Sequence, residues 1–63
     1  MNISFLESDR YGTKLLIEKD IDFVPRIDET FIVDIPFSYK IFKVVSVQYD
    51  VLENKVSVIG VQK

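Results

Sequence analysis

Tyr39-Lys40-Ile41-Phe42-Lys43-Val44-Val45-Ser46-Val47-Gln48-Tyr49-Asp50 is the stretch on which the fold turns. Its apolar side chains alternate, as in a strand with one buried face. The phase then changes. Phe42 and Val44 occupy even positions, whereas Val45, Val47 and Tyr49 are odd. A slip of one residue sends every later side chain to the opposite face unless an extra residue absorbs it. A β-bulge absorbs it, and also bends and twists the strand. A long strand bent in this way suits a small barrel.

The neighbouring sequence supplies four more strand-like runs. Lys55–Gln62 shows a second slip, between Val56 and Val58 on one side and Ile59 and Val61 on the other, with Gly60 beside it. A bulge or sharp bend is expected there too. Upstream, Thr30–Ile35 sets Phe31, Val33 and Ile35 on one face, and Pro36 presets a turn across Ile35-Pro36-Phe37-Ser38. Thr13–Phe23 alternates Leu15, Ile17, Ile21 and Phe23 against Glu18, Asp20 and Asp22. Asn2–Ser8 comes first and ends at Asp9-Arg10-Tyr11-Gly12, a turn signal with Asp at its first position and Gly at its fourth. Val24–Glu29 reads as a loop because Pro25 cannot continue a central strand. Asp28 tolerates a left-handed backbone there, and Arg26–Glu29 has room for one helical turn. The expected core is Phe5, Leu15, Ile17, Phe31, Val33, Val45 and Val47.

Composition supports an all-β reading. Eight Ile, nine Val, five Phe and three Tyr fill a chain with no Ala, His, Cys or Trp. β-Branched and aromatic residues fit a pleated surface, and the best helix former is missing. The 63 residues make one small domain, residues 1–63. Its stability must come from packing or from a partner chain, because no cysteine is present to form a disulfide. With neither Cys nor His, no zinc site is expected. A net charge of −2 gives no excess of basic residues to neutralise phosphates. No apolar run approaches the roughly 20 residues of a membrane span. No secretory start opens the chain, so a cytoplasmic protein is expected. A complete small protein and a domain of a longer chain both fit.

Five short strands with a longer loop after the second resemble a small SH3-like β-barrel. Val24-Pro25-Arg26-Ile27-Asp28-Glu29-Thr30-Phe31-Ile32-Val33 resembles the segment of such barrels in which a Pro, a hydrophobic residue and a Gly-Asp pair lead into a strand. Asp28 stands where that pattern has Gly. The run Tyr39–Val47 resembles the tyrosine-led strand that follows. The chain as a whole is similar to short, uncharacterised bacterial or phage proteins of this class. The resemblance implies a five-stranded antiparallel SH3-like barrel and carries over no catalytic residue, cofactor or metal ligand.

The residues give no catalytic constellation. His, the commonest general base, is absent, and the serines lack a base of standard form. Gly12 and Gly60 stand alone, so there is no phosphate-cradling loop. Asp20 and Asp22 share a strand face and read as a solvated surface. Tyr11, Phe37, Tyr39 and Tyr49 could stack on bases, with Lys40 and Lys43 nearby. However, Asp34, Asp50 and Glu53 are as close in sequence as the lysines. The competing reading has Tyr39 and Tyr49 closing the core and Phe37 anchoring a turn. Val56–Val61 is uncharged. It is either an open edge that pairs with a second copy or a closed strand beside the first strand. The function expected is a non-catalytic protein-interaction or assembly module, with a homodimer or another protein as partner. Its candidate surface is Phe37, Tyr39, Tyr11 and Ile59. The alternative is a nucleic-acid-binding small barrel.

Overall fold

In a computed structural model, which describes residues 1–35 and 38–63, the chain forms β1 (Asn2–Asp9), β2 (Gly12–Asp20), β3 (Thr30–Ile35), β4 (Ser38–Asp50) and β5 (Lys55–Gln62). The expected turn at Pro36-Phe37 lies outside the described residues. The strands make one sheet in the order β2-β1-β5-β4-β3. The sheet is mixed, not all-antiparallel as expected. β1 and β5 run parallel, Asn2 opposite Lys55 through Glu7 opposite Gly60, while the other three pairs are antiparallel. Parallel neighbours need a crossover, and β2, β3 and β4 together provide it. β5 is therefore the central strand, bonded on both sides, so Val56–Val61 is not an open edge.

The sheet curls into a half-barrel, and one aromatic contact measures the curl. β1 and β3 are separated by β5 and β4. In a flat sheet that is three strand spacings, roughly 14 Å. Yet the rings of Phe5 and Phe31 lie 5.0 Å apart, and Phe31 stacks on Phe42 at 5.2 Å. The bend comes from β4. Val44 opposes Gly60 and Ser46 opposes Ile59, which leaves Val45 as the extra residue of a bulge. The expected bulge in β4 is found. In β5 the register shows no extra residue: Gly60 is buried in phase with Val56 and Val58, while Ile59 and Val61 face outward. The apparent slip in β5 arises because the inward position at 60 has no side chain. A Cβ there would stand 2.7 Å from Phe31 Cε1 and 3.0 Å from Phe42 Cβ. Phe31 takes that space.

The concave face holds the core: Ile3, Phe5, Phe42, Val44, Val56 and Val58 are buried. Ile21, Val24, Phe31 and Val47 pack against it. Of the expected core, Phe5 is buried and Phe31, Val33 and Val47 are half-buried. Leu15, Ile17 and Val45 are exposed. A second bulge, at Leu16 of β2, explains Leu15, because it sets Ile17 opposite Phe5 and Leu15 opposite the outward Leu6. Ile17 points inward, but from an edge strand.

β2 ends at Asp20, not Phe23, because its partner strand begins at Asn2; the last rung is the Ile21 N–H donating to the Met1 carbonyl at 3.1 Å. At the β1–β2 turn, the Tyr11 N–H donates to Asp9 Oδ1 at 2.8 Å, and Gly12 adopts φ +122°. Arg26–Glu29 is a hydrogen-bonded turn, not a helical one. The Glu29 N–H donates to the Arg26 carbonyl, and Asp28 is left-handed at φ +73°. This turn is tied to the β4 bulge by the Asp28 N–H donating to the Val44 carbonyl and the Val44 N–H donating to the Glu29 carbonyl.

Two outcomes test this packing. Phe42→Ala should cost about 3–5 kcal/mol and leave little folded protein, whereas Leu15→Ala should cost well under that. Gly60→Ala should destabilise by about 1–3 kcal/mol, because Phe31 must yield its seat. Urea unfolding of the three variants decides; a neutral Gly60→Ala would show that Phe31 does not pack as described. A third outcome concerns pH. The terminal amine of Met1 donates to Asp20 Oδ1 at 2.6 Å, and this bond, with the negative charge of Asp20 and Asp22, raises the amine above its ordinary value of 8.0. A raised folded-state pKa stabilises fully below the unfolded value and is lost as pH rises through the folded one. Thermal stability should therefore decline from about pH 8 upward. N-terminal acetylation should remove that component of the decline; an identical profile after acetylation would exclude the amine as its source.

Candidate functional site: the exposed apolar surfaces

A turn and a loop build the most exposed apolar surface. The β4–β5 connection, Val51-Leu52-Glu53-Asn54, is held by the Glu53 N–H donating to Asp50 Oδ1 at 3.1 Å. Asn54 takes a left-handed backbone at φ +55°. These polar residues satisfy the turn, so Val51 and Leu52 are not needed for it. They stand 87% and 98% exposed. Tyr49, on the concave side opposite Val56, is 63% exposed and lines one shallow hollow with Val51 and Leu52. It also lines a second, of about 520 Å³, with Phe23, Pro25 and Ile27 of the β2–β3 loop. Phe23 is 72% exposed and Ile27 is exposed too. The two hollows meet at Tyr49, making one apolar end patch: Phe23, Ile27, Tyr49, Val51 and Leu52. Asp22, Asp28, Asp50 and Glu53 lie in or beside its segments; Lys43 pairs with Asp28 at 3.3 Å and Lys55 with Glu53 at 3.5 Å, and Arg26 lines the second hollow.

The sequence-predicted residues are dispersed. Tyr11 lies at the β1–β2 turn, with the Arg10 guanidinium 5.1 Å from its ring centroid. Tyr39 sits at the start of β4, opposite Asp34. Ile59 is half-buried on the convex face, beside Leu6 of β1. Phe37 lies outside the described residues. Tyr39 and Tyr49 are both exposed, which corrects the reading of them as core-closing residues. Tyr39 and Ile59 do share the convex face with Leu6, Leu15, Ile32, Ile41 and Val61, a band that crosses the sheet by register. Tyr11 is separate from it. The end patch escaped the sequence reading. Its signal was two adjacent apolar residues, Val51 and Leu52, in a turn already closed by Asp50 and Asn54, where polar residues are the rule.

Among the described residues, no group of three His, Cys, Asp or Glu is placed to hold a metal ion. Among the described residues, no helix is long and apolar enough to cross a membrane. No protein-family model, curated protein or solved structure matches the chain.

If the end patch serves binding rather than folding, the double substitution Val51→Ser and Leu52→Ser should shift stability by no more than about 0.5 kcal/mol. A loss of several kcal/mol in urea unfolding would instead make these residues part of the core.

Proposed function

We propose that the protein is a non-catalytic protein-interaction or assembly module. The observation that carries the reading is the end patch. Five large apolar side chains stand in solvent together, on a chain whose turn chemistry does not require them. Contiguous exposed apolar surface rimmed by polar groups marks interaction sites, while isolated apolar residues need no explanation. The rim is of mixed charge, with Asp28 paired to Lys43 and Glu53 to Lys55, which suits a protein partner with polar residues of both signs around an apolar centre. It disfavours a phosphate backbone, which needs positive charge along its track, because the lysines at this rim are already paired with carboxylates. The proposal keeps the SH3-like class for the fold, supported by five short strands, the loop after β2 and the bulge-bent β4. The parallel β1–β5 pair departs from the antiparallel plan. The bacterial or phage origin belongs to the same proposal and rests on the sequence resemblance.

A photo-crosslinking amino acid at Leu52 tests the reading. Irradiation in host extract should give discrete protein adducts that are lost when Phe23 and Tyr49 are replaced by Ser; adducts to nucleic acid would favour the alternative. In parallel, fluorescence anisotropy should show no oligonucleotide binding tighter than about 10 μM at physiological salt. Submicromolar, salt-sensitive binding would overturn the protein-interaction reading.

A further inference from the structure

The sheet is open, so it has two edges, β2 and β3. They are not equivalent. β2 carries Lys14, Glu18, Lys19 and Asp20 and is interrupted by the bulge at Leu16. Charges and bulges guard an edge against pairing. β3, Thr30-Phe31-Ile32-Val33-Asp34-Ile35, has a single charge and an unbroken register against β4. Ile32 on this edge is 61% exposed.

The hydrogen bonds fix which groups of β3 are free. In an antiparallel ladder, alternate residues bond the neighbouring strand, and those between turn their N–H and C=O away. Glu29 bonds toward β4, since its carbonyl accepts from the Val44 N–H at 2.8 Å. Counting on by two along an unshifted register, Phe31 and Val33 also bond toward β4. Thr30, Ile32 and Asp34 therefore direct their N–H and C=O groups outward. Among the described residues, β3 pairs with β4 alone.

We propose that β3 pairs with β3 of a second copy, antiparallel, about a two-fold axis at Ile32. The strand is self-complementary in that register. Ile32 meets Ile32, and Thr30 meets Asp34 of the second copy, so all the outward backbone groups of these three residues find partners. Asp34 then faces a hydroxyl donor, not a like charge. On the concave side Phe31 lies opposite Val33 of the second copy, an aromatic and β-branched pair of the kind that stabilises sheets. The axis stands perpendicular to the sheet, so the concave faces of both copies point the same way, and the two convex bands join at Ile32. Two-fold closure of this kind is the commonest route to an oligomer. The inference rests on the assembly reading above and names its partner as a second copy of this chain, bound at a surface distinct from the end patch.

Sedimentation equilibrium on the intact 63-residue protein tests it. The unmodified chain should show the mass of two chains at about 100 μM and dissociate on dilution. Ile32→Pro removes only the outward N–H and leaves the β3–β4 bonds in place; it should weaken association at least tenfold, as should Ile32→Lys, which opposes like charges at the axis. Ile59→Lys on the convex face and Leu52→Lys in the end patch should leave the dimer intact. Amide exchange at Thr30, Ile32 and Asp34 should slow as concentration rises, a readout that stands even if the Pro variant fails to fold. The proposal is overturned by a single-chain mass at that concentration, by concentration-independent exchange at these amides, or by a dimer broken by Ile59→Lys or Leu52→Lys but not by Ile32→Lys. Protein adducts at Leu52 would survive any of those results, so the two readings fail separately.

Discussion

The seating of Phe31 over Gly60 is the contact on which the rest of this structure depends. β3 is the strand farthest from β1 by hydrogen-bond order, and nothing in the ladder alone would bring them together. Phe31 reaches Phe5 because Gly60 presents no Cβ where the ring must pass and because the bulge at Val45 bends β4 beside it. Any side chain at position 60 would lift the ring and flatten the curl. The core would then lose the ring that joins Phe5 to Phe42. In a chain this small, few residues are buried, and each such contact carries a large share of a stability that totals only about 5–15 kcal/mol in typical domains. The β2–β3 turn reinforces the same point by bonding Asp28 and Glu29 to Val44, next to the bulge.

Curling without closing has a consequence for the edges. A closed barrel abolishes them, whereas a half-barrel must manage two. β2 carries charge and a bulge; β3 carries one carboxylate. The concave cleft between them, about 430 Å³, is lined by Phe5, Ile17, Ile21, Phe31 and Val33 together with Lys19, Ile32 and Asp34 of the two edges, and it leaves inward-facing apolar groups partly wet. The half-barrel is therefore least finished on the β3 side, where among the described residues β3 is bonded on one side only. The end patch is a separate feature, built from a hairpin turn and a loop whose local hydrogen bonds hold apolar residues in solvent.

The strand pattern was legible because period-two alternation and turn chemistry are local. Thr30–Ile35 and Lys55–Gln62 have the expected bounds, and the phase slip in β4 marked a real bulge. The matching slip in β5 was a different thing. A missing side chain and a missing residue leave the same trace in a pattern of apolar positions, and only the facing strand tells them apart. Leu15 and Ile17 looked like core for a related reason: alternation identifies a face, but not how much of it a neighbour covers. The end patch was hidden because exposure of Val51 and Leu52 depends on what folds over them, and among the described residues nothing does.

What the sequence by itself determined is the class of structure and the chemistry it lacks. β-Branched and aromatic residues in alternating runs, with no alanine, dictate strands; the absence of His and Cys withholds the usual groups for acid–base and zinc chemistry. Strand order, the parallel β1–β5 pair and the choice of which apolar residues are buried were decided only by the tertiary structure. The physical reason is that backbone hydrogen bonding is the same for any pair of strands. Propensity and period are properties of a segment and its immediate neighbours. Which strand lies beside which is settled by long-range packing, here by whether a phenylalanine on the edge can reach the bare backbone of a glycine in the middle of the sheet.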